Sequence, residues 1–359
     1  MHDKLIGIET RFEEIEQHLG APDVAANPEK LKSLMKERKM LEPVVEAFRS
    51  FQRTARELQD AEELACDEAS DSAMRELAEE ECSTLRAALA EMQLALKKLL
   101  LPRDENDDKN VIIEIRAGAG GEEAALFAAD LYRMYSMYAA SAGWKLEPIS
   151  ANETELGGYR EISFMVVGEG AYARLKFESG VHRVQRVPKT ESQGRIQTST
   201  VTVAVLPEVE EVQVTINPCD LEVETMKSSG AGGQHINKTE SAIRIYHKPT
   251  GIVVFCQEER SQMKNRDKAM RMLRAKLYEI EQQKQTDTLT ATRRSQVGTG
   301  DRSEKIRTYN YPQSRMTDHR IGLTLYQLDS IMNGNIGAII EALITADTAE
   351  KMKAGEHEN

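Results

Sequence analysis

The chain has 359 residues, 40% of them hydrophobic, with a formal net charge of −12: enough for two or three domains and a sizeable core. Its four cysteines (Cys66, Cys82, Cys219, Cys256) are scattered without a Cys-x-x-Cys pair and its seven histidines form no His-Glu-x-x-His run, which argues against a disulfide framework and against a metal site. No apolar leader follows Met1 and no run approaches the roughly 20 apolar residues of a membrane span, so a cytoplasmic protein with no membrane partner is expected.

Residues 1–108 read as helix. Leu5, Ile8, Phe12, Ile15 and Leu19 fall at spacings of three and four, and Leu85, Leu89, Met92, Leu96 and Leu99 repeat the pattern. Between them runs a long helical pattern that Pro43 is expected to kink, with breaks at "GAPDVAANP" and "CDEASDS". Three antiparallel helices would bury these stripes together as a structural or docking arm. The arm is acidic, with 15 Lys+Arg against 26 Asp+Glu.

After the linker "LPRDENDDKN" the period changes. "VIIEIRAG" is a strand pattern, "EEAALFAADLYRMYSMYAASAG" a helix, and "WKLEPIS", "REISFMVV", "ARLKFES" and "TSTVTVAVLPE" are further strands, which makes an α+β domain over 109–211. A smaller α+β unit follows over 212–288: "EVQVTIN", "LEVETMK", a hairpin around "HKPTG", then a helix whose basic residues crowd its first turns. Residues 289–310 are polar, glycine-dotted and basic and read as a connecting loop, and 311–359 return to strand and helix. Residues 227–320 carry 19 Lys+Arg against 10 Asp+Glu, so the rear of the chain suits phosphate binding while the front does not.

Two glycine strings echo one another, "AGAGGEEAA" at 117–125 and "SGAGGQHIN" at 229–237. The first opens a helix, either as an amide site whose free N–H groups meet an anion or carbonyl oxygen, or as a plain turn with Glu122 and Glu123 complementing the helix dipole. The second bares the backbone around Gln234 but lacks the Gly-Lys-Ser/Thr ending of a nucleotide loop and precedes a hairpin rather than a helix. Taken alone it is a mobile turn more often than a site.

Together with "HRVQRVPKTESQGRIQTS" at 182–199, and in this order and spacing, these strings resemble bacterial class I peptide chain release factors over essentially the whole chain. The resemblance implies a helical arm, a codon-recognition domain completed by the C-terminal segment 311–359 packing on it, and a Gly-Gly-Gln domain. It implies translation termination at UAA and UAG, because Pro188-Lys189-Thr190 is the Pro-x-Thr type of tripeptide. Thr190 would contact the first two bases, Gln185 and Thr198 the third, and backbone N–H groups near Gly120 and Glu123 the leading uridine. Ile196 would separate the third base from the others. Gln197 stands where the family has a stacking histidine, which reduces the π area available there.

By the same resemblance Gly232, Gly233 and Gln234 would reach the ester of peptidyl-tRNA, with the Gln234 backbone N–H stabilising transition-state charge and its side chain positioning water. Gln234 would carry N5-methylation. The implied partners are both ribosomal subunits and their RNA, the mRNA stop codon, peptidyl-tRNA, a glutamine methyltransferase and a recycling GTPase. A monomer with no cofactor and no stand-alone enzymatic activity is expected. Arg293, Arg294, Arg302 and Arg307 make the connector either a switch that orders against RNA or a flexible linker. The competing readings are a codon-independent ribosome-rescue hydrolase, an RNA-binding adaptor and a nucleotide-dependent enzyme.

Overall fold

The computed structural model describes every residue except 1, 22–23, 25–26, 67–71, 102–103, 105, 189–193, 210–215, 229–239 and 358–359. The chain divides into two compact units, Met1–Asp104 with Glu341–Asn359, and Glu105–Ile340.

In the first unit the apolar stripes become helices α1 (His2–Leu19), α2 (Pro28–Cys66) and α3 (Ser72–Leu99). Leu5 of α1, Val44 and Phe48 of α2 and Leu96 of α3 close one buried cluster, and Ile15, Val24 and Leu34 form a second. Each fully buried side chain of this kind stabilises by roughly 1.5–3 kcal/mol. Ion pairs such as Arg49–Glu9 at 2.8 Å and Arg86–Glu62 at 2.7 Å are exposed to water, which screens them, so the stripes hold the arm. Pro43 lies inside α2 without ending it.

The second unit is built on a mixed sheet of strands β1 (Val111–Ala117), β2 (Lys145–Glu153), β3 (Tyr159–Val167), β4 (Gly180–Arg186), β5 (Gln197–Pro207), β9 (Lys305–Asn310), β10 (Arg315–Asp318) and β11 (Leu323–Leu325), in the order β11-β10-β9-β4-β5-β1-β3-β2. Among these, β4 and β9 pair in parallel and the remaining neighbours are antiparallel. Val111, Ile113 and Ile115 alternate to one face, where helix α4 (Glu122–Ser141) buries Phe127, Leu131, Met134 and Tyr135 across β1, β3 and β5.

The smaller sheet, β6 (Leu221–Met226), β7 (Ala242–His247) and β8 (Ile252–Cys256), is covered by helix α6 (Gln262–Val297). Ala269, Leu273 and Leu277 repeat every four residues and pack on Ile243, Ile245, Val254 and Cys256. The helix's other faces expose Lys264, Arg266, Arg271, Arg274 and Lys276.

Several expectations are corrected. "ARLKFES" is helix α5 (Ala171–Leu175) followed by a 3-10 turn at Lys176–Glu178; its alternation imitates a strand, but Gly170 at φ 71° starts a helix that buries Ala171, Tyr172 and Leu175. The connector is largely ordered: α6 continues to Val297, and β9 begins at Lys305. A polar side chain anchors that last stretch, since Gln296 bonds both backbone groups of Val205, until Gly298 at φ 56° stops the helix. Of the C-terminal segment, 311–340 belongs to the sheet-bearing unit and 341–359 groups with the arm. The buried apolar residues of helix α8 (Gly337–His357) and its lead-in, among those described, are Ile336, Ile339, Ile340 and Leu343, at its start. Most of "EVQVTIN" lies outside the described residues. Helix α7 (Leu328–Met332) completes the unit.

Candidate functional site

The residues expected to read a codon gather at one end of the large sheet. β4 and β5 are the two arms of a hairpin whose connection is 187–196, and the pairing Gln185↔Thr198 lies one register step inside its root, Arg186↔Gln197. Pro188 is buried, Ile196 is 59% exposed and Gln197 is exposed. Lys189 and Thr190 lie outside the described residues. Gln185 is itself held: its Oε1 accepts from Asn310 Nδ2 at 3.3 Å and its carbonyl accepts from Tyr311 N at 3.0 Å.

The start of α4 is strapped beside this row. Gly118 N donates to Thr200 O at 2.9 Å, Ala119 N donates to Thr200 Oγ1 at 2.9 Å, and Thr200 N donates to Ala119 O at 2.8 Å. Gly120 sits at φ +140°, and a Cβ there would lie 2.3 Å from Ser199 Oγ, so only glycine allows the approach. The turn leads into Glu122 and Glu123, where the first N–H groups of a helix have no intrahelical acceptor. The sheet thus brings Gly120, Glu123, Gln185 and Thr198 to one place.

Sequence reasoning missed what fastens this place together. Arg186 Nε donates to the Glu123 carboxylate, its Nη1 donates to Asp130 Oδ2 at 2.6 Å, and its guanidinium lies 5.1 Å from the Tyr311 ring centroid. Glu123 is 4% exposed, and its Oε2 has no hydrogen-bond partner among the described residues. Burial alone would make the Arg186 cation easier to neutralise, but the two carboxylates outweigh it and keep the group charged. A charged residue inside the strand pattern, next to Gln185, was the available signal.

The four arginines of the connector separate. Arg307 has no solvent exposure and lies in β9, paired with Glu178 and Asp318, so it is a core residue and not a loop cation. Arg293 lies in α6 and pairs with Glu114 at 2.8 Å. Arg294 and Arg302 are exposed. Around Arg307 the hydrogen bonds close: Tyr135 donates to Glu178 Oε2 at 3.0 Å, and Tyr309 OH lies 3.1 Å from His182 Nδ1. His182 Nε2 faces the Glu178 carbonyl at 2.9 Å; a carbonyl only accepts, so Nε2 carries the proton and Nδ1 accepts from Tyr309. Burial first, and Arg307 second, lower the His182 pKa to about 4.

Gly232, Gly233 and Gln234 lie outside the described residues; their root does not. β6 and β7 pair as far as Met226↔Ala242, which makes 227–241 a hairpin connection. Ser228 Oγ and Ser241 Oγ are 2.9 Å apart. Asn265, fully buried, donates to Ser241 O at 2.7 Å and Glu259 O at 2.8 Å and accepts from Glu259 N at 2.9 Å. Among the described residues no group of three His, Cys, Asp or Glu is placed to hold a metal ion, and no helix is long and apolar enough to cross a membrane.

Comparison with known proteins finds a PCRF domain over residues 8–203 and an RF-1 domain over 210–320. The chain is 55% identical to peptide chain release factor 1 of Carboxydothermus hydrogenoformans, over 98% of each chain. It is 56% identical to that of Caldicellulosiruptor saccharolyticus over 98% of this chain and 99% of the other. A solved structure, RF2 of Thermus thermophilus, is 34% identical over 98% of this chain and 96% of that one, with a TM-score of 0.49.

Proposed function

The chain belongs to the peptide chain release factors and is a translation termination factor that reads the stop codons UAA and UAG on the ribosome; from that premise we propose which of its residues read the codon and which act on the ester. The observation that carries the assignment is the pairing of Gln185 with Thr198, one register step inside the root of the 187–196 connection that contains Pro188, Lys189 and Thr190, beside the strapped start of α4. Thr190 contacts the first two bases, Gln185 and Thr198 the third, and the N–H groups near Gly120 and Glu123 the leading uridine. Ile196, exposed at the hairpin's return, divides the third base from the others, and Gln197 lies where a flat side chain stacks.

Hydrolysis falls to the other sheet. Gly232 and Gly233 give the 227–241 connection the slimness and dihedral freedom to enter a narrow RNA cavity, and the Gln234 backbone N–H stabilises charge as water attacks the peptidyl-tRNA ester. The protein has no hydrolase activity apart from the ribosome. The exposed basic faces of α6 meet ribosomal RNA phosphate. Of the connector, residues 298–304 with Arg294 and Arg302 act as the switch. Gln234 is the target of a glutamine methyltransferase, a GTPase recycles the factor, and the protein works as a monomer in the cytoplasm, without a cofactor.

Release of labelled formyl-methionine from ribosomes programmed with UAA, UAG, UGA and a sense codon tests the reading. Release at UAA and UAG, little at UGA and none at the sense codon is expected. Equal release from every message, or release without ribosomes, would overturn it.

A further inference from the structure

We propose that Arg186 is a positioning residue for discrimination of the first codon base, and the proposal rests on the termination reading above. Arg186 ends β4 and pairs with Gln197, so it stands at the root of the 187–196 connection. Its side chain grips α4 at two points: Glu123 in the first turn and Asp130 two turns along. Two anchors on one rigid rod set its angle as well as its position. Tyr311 lies against the guanidinium, and Tyr311 N bonds the carbonyl of Gln185.

The start of α4 is therefore clamped from both arms of the hairpin, by Thr200 of β5 through Gly118 and Ala119, and by Arg186 of β4 through Glu123. Between the clamps lie the uncommitted N–H groups that face the leading base. A hydrogen-bonding reader of a base edge depends on its placement, and a misplacement of about 1 Å can cost on the order of a hundredfold. Without Arg186 the buried Glu123, one of whose oxygens already has no partner among the described residues, loses its counter-charge and must move, and the helix start moves with it. A lysine is a point charge on a flexible stem and cannot hold both carboxylates in the planar fork.

Release titrations on UAA, UAG and the first-base mismatch CAA test the proposal, using Arg186→Lys, Arg186→Ala and Asp130→Asn with thermal unfolding of each. Arg186→Lys should raise the half-saturation at UAA and UAG about tenfold and narrow the UAA-to-CAA ratio by a similar factor, the scale of one misaligned base contact. Maximal rate should stay within about twofold of wild type, and the UAA-to-UAG ratio should not change, because the third base is read by Gln185 and Thr198. Arg186→Ala should do the same more strongly, with Lys as a partial rescue. Asp130, 35% exposed, is the variant with the least effect on folding, and Asp130→Asn should shift the same ratio by a smaller factor. Equal weakening at all three codons, a change in maximal rate alone, or an unchanged UAA-to-CAA ratio in Asp130→Asn would overturn the proposal. A wild-type protein that releases at neither UAA nor UAG would overturn the termination reading instead.

Discussion

Arg307 and Glu178 form a two-bond ion pair, at 2.7 and 2.8 Å, in which neither side chain has any solvent exposure. It crosses from β9 to the turn before β4, beside the one parallel pairing among the described strands of the sheet. Asp318 takes a third hydrogen bond from the guanidinium at 3.2 Å and is itself held by Arg320 at 2.7 Å. Removing one member of a buried pair leaves an uncompensated charge, which costs about 3–5 kcal/mol. Arg307→Ala should lower the stability of the sheet-bearing unit by that amount in urea unfolding. Arg302→Ala, at an exposed position, should stay within about 0.5 kcal/mol of wild type. A loss of under ~1 kcal/mol for Arg307→Ala would show that the pair does not hold β9 in place.

The same cluster gives stability a pH dependence. His182 is buried with its pKa lowered to about 4, against an ordinary value of 6.5. Between pH 6.5 and 4 the unfolded chain binds a proton that the folded chain does not, so stability is complete above 6.5, falls as pH drops through this window and loses nothing further from His182 below about 4. The loss is on the order of 3 kcal/mol. His182→Gln should flatten the stability profile across this window. Glu178 acts at lower pH: burial would raise its pKa, but Arg307 outweighs burial and lowers it, so its contribution disappears only as pH falls through that depressed value. An unchanged slope in His182→Gln would remove His182 as the source.

How far the fold could be read from the sequence depended on whether a segment's partners are local. The arm announces itself because Leu5, Ile8, Phe12 and Ile15 need only the 3.6-residue period to show a buried face. β9 does not: "KIRTYN" carries Arg307 at a fully buried position, and only the non-local partners Glu178 and Asp318 make that tolerable. The tail of α6 is polar, and what holds it helical, Gln296 on Val205 and Arg293 on Glu114, lies about 90 and 179 residues away in sequence. At the site the pattern was the reverse. Gln185, Thr198 and Gly120 were legible from motif strings, whereas Arg186, Asp130 and Tyr311, which fix them relative to one another, belong to no string and appear only once the sheet and α4 are packed.

Gly120 separates close approach from backbone strain. At φ +140°, a Cβ would meet Ser199 Oγ at 2.3 Å and Ser199 Cβ at 2.5 Å, whereas Gly121, at φ +60°, has nothing within 4 Å of its added Cβ. Gly121→Ala should therefore cost dihedral strain alone, about 1–3 kcal/mol. Gly120→Ala should add the displacement of β5 from the turn, with overpacking of about 1–3 kcal/mol. Gly120→Ala is expected to raise the half-saturation at UAA and UAG at least tenfold while saturated release proceeds at the wild-type rate, and Gly121→Ala to do so by a smaller factor. Equal effects from the two would mean that contact with Ser199 does not set the position of the helix start.

Asn265 does for the second sheet what Arg186 does for the first, with neutral groups. It is fully buried at the start of α6, and its amide satisfies Ser241 O, Glu259 O and Glu259 N together, while Cys256 Sγ donates to the same Oδ1 at 3.5 Å. Ser241 ends the connection that carries Gly232, Gly233 and Gln234, and its hydroxyl meets Ser228 on the outgoing side. Each backbone group left unpaired in a buried site costs about 1–3 kcal/mol, so Asn265→Ala should free the return of that connection from α6. Asn265→Asp keeps the shape but has no N–H to give Ser241 and Glu259, and should behave no better. Saturated release should fall about tenfold or more in both, by the reasoning that a preorganised donor loses its effect when its support moves. Codon half-saturation should change by less than about twofold, because the Gln185–Thr198 row is on the other sheet. Hydrogen exchange at Ser241 and Ala242 should quicken in parallel. If exchange quickens while saturated release does not change, the root of the connection does not govern where Gln234 sits, and the ribosomal cavity alone positions it.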